Sequence, residues 1–138
     1  MLSLIEEAAT FYEGFICVQE EKRQALMLLQ MDQLKRILEQ EQPLRLRASA
    51  LERRCRAALM PFGLSAKGLI AAVEQLDFAN SEDQVRAQEA CANLRVVLMR
   101  FRSLAEENAA AAEKYMACFT ARFGELLSAP ETTFGVDL

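Results

Sequence analysis

The chain has no histidine, and only three prolines and five glycines among 138 residues. Each scarcity removes a class of explanation. Without histidine, a cysteine nucleophile lacks its usual activating base and a zinc site lacks its commonest nitrogen ligand. The four cysteines, Cys17, Cys55, Cys91 and Cys118, stand far apart with no Cys-x-x-Cys pair. Each falls among apolar residues in a helical pattern, so free buried thiols acting as small hydrophobes are expected. No glycine pattern of a dinucleotide fold, a phosphate-binding loop or a nucleophile elbow occurs. Carboxylates come in helix-face patterns such as Glu20-Glu21 and Glu106-Glu107, which suit solvated charge better than a catalytic pair. No run of 18 apolar residues exists, so no membrane span is expected. The N-terminus carries Glu6 and Glu7 where a secretory signal would be basic. A net charge of −4 and a pI near 5.0 disfavour nucleic acid, whose phosphates call for a basic face. The arginines Arg45, Arg47, Arg53, Arg54 and Arg56 are interleaved with apolar residues and read as the solvated side of a helix. The expectation is a cytoplasmic protein that is not an enzyme, uses no cofactor or metal, and neither binds nucleic acid nor inserts directly into a membrane.

What is present is helical pattern. Apolar residues make up 52% and charged residues 26%, enough to bury a core in one domain. Ser3-Leu4-Ile5-Glu6 and Ser81-Glu82-Asp83-Gln84 both fit the capping box that starts a helix. Helices are predicted over about 3–30, 32–60, 65–76 and 81–128, as a single domain (1–129), followed by a flexible tail at 130–138. Gly14 costs about 1 kcal/mol inside the first helix relative to Ala. A break is expected around Gln30 to Asp32, with Asp32 as the new N-cap. Pro43 is expected to kink or divide the second helix. Pro61-Phe62-Gly63 breaks the chain, Ser65 is expected to cap the short helix, and Asp77 to Asn80 reads as a loop. The last helix would span roughly 70 Å at 1.5 Å per residue. Its apolar residues recur in three- and four-residue steps through Leu94, Leu98, Phe101, Ala105, Ala112, Tyr115, Phe119 and Leu126. The predicted fold class is all-α: an elongated antiparallel helical hairpin or bundle, with long coiled-coil-like N- and C-terminal helices and a short connecting helix. The alanines Ala109 to Ala112 would let another helix approach closely.

The mean hydropathy of +0.03 is apolar for a thin helical protein. Val96, Val97, Leu98 and Met99 are consecutive, so they point in every direction around a helix, and Tyr115 to Phe119 do the same. Part of that surface is expected to await a partner. Met27, Met31, Met99 and Met116 add adaptable side chains suited to such contacts. Two readings use these residues differently: a protein that binds a client helix, or a self-assembling helical bundle or adaptor that covers them itself.

Three segments, Glu20 to Leu26, Met31 to Leu38 and Leu51 to Arg54, resemble the N-terminal half of FlgN-type flagellar export chaperones. Leu98 to Asn108 resembles the family's apolar run ending in an asparagine. Thr132-Thr-Phe-Gly135 resembles its short terminal motif, with Phe134 where a tyrosine is usual. The resemblance implies a chaperone of the flagellar type III export system. It would bind C-terminal helical segments of the hook-associated proteins FlgK and FlgL, hold them unassembled and deliver them to the export gate protein FlhA. The client contacts it implies on the last helix are Leu94, Val97, Leu98, Phe101, Leu104, Tyr115 and Phe119, each of which intramolecular core would also explain. Gate docking would fall on Phe134. A monomer or weak dimer is implied, gaining order on the client.

Overall fold

The computed structural model describes residues 2–63, 68–74 and 81–123, with backbone alone at 73 and 118–123. Four α-helices follow in order: α1, Leu2–Met27; α2, Met31–Leu59; α3, Leu69–Glu74; and α4, Ser81–Phe123. A 3₁₀ turn, Met60–Phe62, follows α2. No strand occurs among the described residues. The all-α bundle is the fold the sequence predicts. The caps at Ser65 and the loop from Asp77 lie outside the described residues, as do the end of the last helix at 128 and the tail with Phe134.

The helix directions differ from expectation. Glu7 pairs with Arg54, and Gln19 and Lys22 meet Glu41, so α2 runs antiparallel to α1. Phe101 packs on Tyr12 and Phe15, and Asn108 on Gln19. Farther along, Ala112 and Tyr115 share a cluster with Ala25 and Leu26. The long N- and C-terminal helices are therefore parallel, not antiparallel. The expected bent N-terminal arm is itself a hairpin, with α1 packed between α2 and α4.

The reversal between α1 and α2 explains the difference. Leu29 adopts a left-handed conformation, φ 53°. The Gln30 N–H donates to the Ala25 carbonyl at 2.9 Å and the Leu29 N–H to the Leu26 carbonyl at 3.4 Å. That is the Schellman pattern closing a helix C-terminus. Glycine usually takes the left-handed position, so leucine gives no signal of it. Asp32 is not the N-cap: Gln30 holds that position without a side-chain bond, and Asp32 lies in the first turn, where its charge suits the helix dipole. Pro43 does not divide α2. Its ring is exposed, while Leu34, Ile37 and Glu41 before it and Ala48, Leu51 and Cys55 after it are buried. Packing on both sides carries the helix through the one lost hydrogen bond. At the other end, Gly63 at φ 69° stops the 3₁₀ turn, as Pro61-Phe62-Gly63 implies.

Three heptad rows build the core. On α1 they run Ile5, Ala8, Tyr12, Phe15, Gln19, Lys22 and Leu26; on α2, Leu34, Ile37, Glu41, Leu44, Ala48, Leu51 and Cys55. On α4 the row is Ala87, Cys91, Leu94, Leu98, Phe101, Ala105, Asn108, Ala112 and Tyr115, all buried. Alternating three- and four-residue steps keep each row facing its partners, as in a coiled coil. The rows are interrupted at one level by polar residues. Glu41, fully buried, accepts hydrogen bonds from Gln19 Nε2 (3.0 Å), Lys22 Nζ (3.2 Å) and Arg45 (3.0 Å). Asn108 Nδ2 donates to the Gln19 carbonyl (2.8 Å) and to Gln19 Oε1 (3.0 Å). This layer ties the three long helices together. It separates a large apolar base, centred on Tyr12, Phe15 and Phe101, from a smaller apolar tip of Ala25, Leu26, Leu34, Ile37, Ala112 and Tyr115. A buried polar group at a heptad position penalises any slipped register that would leave it without its bonds.

Candidate protein-binding surface

α4 has two apolar faces. The inner face carries the heptad row together with Val97 and Leu104, and it is covered by α1 and α3. Six residues proposed above as client contacts, Leu94, Val97, Leu98, Phe101, Leu104 and Tyr115, lie on it, none more than 7% exposed. The Phe101 ring sits 4.8 Å from Phe15 and 5.1 Å from Tyr12 between ring centres, in tilted and edge-on geometry. In this closed arrangement a client would reach these six only if α1 lifted away. The side chain of Phe119 lies outside the described residues.

The outer face is built from what the heptad row leaves over. Val85, Ala92, Val96, Met99 and Ser103 recur at steps of seven, four, three and four, on the side of α4 opposite Leu94 and Leu98. Val85 is 50% exposed, Val96 66% and Met99 71%. Isolated exposed apolar side chains are ordinary, whereas a stripe of them at helical spacing has the form of a helix-binding surface. The run Val96 to Met99 signals two apolar faces from sequence. It does not say which half faces inward; removing the 4–3 row from the pattern does, and Val85 then joins the stripe.

Charged side chains fasten the edges of α4. Arg100 pairs with Glu20 of α1 and Arg95 with Glu74 of α3, while Arg23 lies 3.7 Å from Glu107. Such exposed pairs stabilise by about 0–1 kcal/mol each, so they orient more than they hold. Near the tip, Met27, Leu28 and Leu29 are largely exposed beside an open groove of about 620 Å³ between α1 and α4.

The ionisable groups show little sign of chemistry. Burial pushes the Cys55 thiol up to about 11 and raises that of Cys91, so both stay protonated near neutrality and are weak nucleophiles. Burial likewise raises the Tyr12 and Tyr115 phenols. The Arg54 guanidinium, bonded to Glu7, lowers that carboxyl. Cys17, contrary to expectation, is exposed, because it points away from the row carrying Phe15 and Gln19. The side chain of Cys118 is outside the described residues. Among the described residues no group of three His, Cys, Asp or Glu is placed to hold a metal ion, and no helix is long and apolar enough to cross a membrane.

No curated protein and no solved structure matches the chain. The sequence profile described as FlgN protein does match, over residues 1–133. With that match spanning nearly its whole length, the chain belongs to the FlgN family of flagellar export chaperones.

Proposed function

We propose that this chaperone binds C-terminal helical segments of hook-associated proteins of the FlgK and FlgL type, keeps them unassembled and hands them to the export gate protein FlhA. The observation that carries the client part of the reading is the outward stripe of Val85, Val96 and Met99 on a helix whose other large apolar side chains, among the described residues, are buried or half-buried. A client helix laid along it would bury its own apolar edge there, with Arg95, Arg100 and Glu106 at the margins. The inner residues Leu94 to Tyr115 then serve the client indirectly, by holding α4 straight against α1. Entry of the client into the inner seam itself requires displacement of α1.

Titrating a hook-associated C-terminal segment against the chain and its Val96→Asp and Met99→Asp variants tests this reading. Loss of binding with unchanged thermal melting supports the outer stripe. Full binding by these variants, abolished by a cross-link between α1 and α4, assigns the client to the inner seam instead. No binding by the intact chain removes the client reading altogether. The gate part rests on the resemblance of Thr132 to Gly135 to the family's terminal motif: Phe134→Ala should weaken capture by FlhA while leaving client affinity unchanged.

A further inference from the structure

A second concavity lies on the other side of α1 and has no part in the reading above. Between α1 and α2 runs an open groove of about 590 Å³, and no residue lines both it and the groove beside α4. Its floor is apolar, with Phe11, Val18 and Leu44 half-buried and Leu51 buried. Its rim is basic. The Arg47 guanidinium stands 5.4 Å from the centre of the Phe11 ring, and Arg54 reaches across to Glu7 at 2.8 Å. Of the five arginines at 45–56, Arg47 and Arg54 line the groove, and with Glu7 as the one carboxylate among its lining residues it carries net positive charge in a chain whose net charge is −4.

Gly14 lies in this groove, in the middle of α1. A Cβ added there would meet nothing within 4 Å. Neither its own helix nor α2 therefore requires the missing side chain, and a glycine weakens a helix interior relative to alanine. The effect of the glycine is to leave the α1 backbone open at the centre of the groove, where another backbone can approach closely.

We propose that this groove is a docking site for an acidic amphipathic helix of a protein partner. The helix would set its apolar edge on Val18 and Leu44, cross Gly14 closely, and turn carboxylates toward Arg47, the groove arginine that Glu7 does not already hold. Charge complementarity selects the acidic partner, and the apolar floor selects a helix over nucleic acid. A nucleic acid would want an aromatic face free for stacking, whereas Arg47 covers the face of Phe11. An occupant here leaves the outer stripe of α4 clear.

The test uses the isotope-labelled full chain and an 18-residue helical peptide with leucines at three- and four-residue steps and glutamates elsewhere. Its lysine counterpart is the control. The acidic peptide should shift the amide resonances of Gly14, Leu44 and Arg47 and spare those of Val96 and Met99. Binding should weaken with added salt and fall at least tenfold in both Arg47→Glu and Gly14→Glu. The second variant places a carboxylate where there is room and improves helix propensity, so its melting temperature should not drop. Equal binding of the lysine peptide, undiminished binding by Gly14→Glu, or shifts confined to α4 would overturn the proposal. So would tighter binding of a single-stranded RNA oligonucleotide at the same amides, which would assign the groove to nucleic acid.

Discussion

The inner and outer faces of α4 are made of the same kinds of residue and differ in whether the rest of the chain covers them. Leu94, Leu98 and Phe101 on the inner face are at most 3% exposed, whereas Val96 and Met99, within five residues of them, are 66% and 71% exposed. Composition does not separate the two sets; geometry does. The inner set follows the 4–3 spacing that keeps a row against its neighbours, and Ala105 and Ala112 within it let α1 come close. The outer set is sparser and has no partner helix among the described residues. An apolar residue on a long helix thus belongs to the fold when it keeps the heptad step, and becomes a candidate for function when it recurs out of phase with it.

The largest effects should come from breaking the inner face. Phe101→Ala removes the ring that bridges Tyr12 and Phe15 and should cost about 3–5 kcal/mol, read by urea denaturation; any loss of client binding should disappear once the unfolded fraction is corrected for. Glu41→Leu should cost a similar amount, about 3–5 kcal/mol, because it strands Lys22 in the interior without its carboxylate. Adding Lys22→Met to that variant should restore much of the loss. A double variant no more stable than Glu41→Leu alone would mean that the polar layer is not what holds the rows in register.

A smaller effect should appear with pH. The Cys55 thiol titrates at about 11 in the folded chain, against an ordinary value near 9.0, because burial disfavours the thiolate. Its contribution to stability is complete below pH 9 and is lost as pH rises from 9 toward 11, and the raised Tyr12 phenol acts in the same direction. Melting temperature should therefore fall across that window, and less steeply in Cys55→Ala than in the parent chain. The smallest effect on stability belongs to the outer face: Val96→Ser and Met99→Ser should each stay within about 0.5 kcal/mol of the parent by denaturation.

Much of this contrast is legible in the sequence, and the remainder fails for identifiable reasons. The helices, the start of α4 at Ser81 and the break at Pro61 to Gly63 follow from capping and periodicity. The direction of α4 relative to α1 does not, because it depends on a tight reversal at Leu29 whose left-handed leucine has no local signature. Pro43 misleads since its neighbours on both sides are anchored by tertiary packing. The polar layer is half-legible: Gln19, Glu41 and Asn108 each occupy a heptad position, but only the folded rows reveal that they meet. The client contacts that the family resemblance implies lie in the apolar stretches of α4, where core and surface residues stand side by side.

The central claim, that α4 folds with one face and binds with the other, meets its most direct test in one binding titration. A C-terminal segment of a hook-associated protein is titrated into the parent chain and into the Val96→Asp/Met99→Asp double variant, with melting curves recorded on both. Binding should fall at least tenfold while the melting temperature stays within a few degrees. Undiminished binding by a double variant that melts like the parent would contradict it.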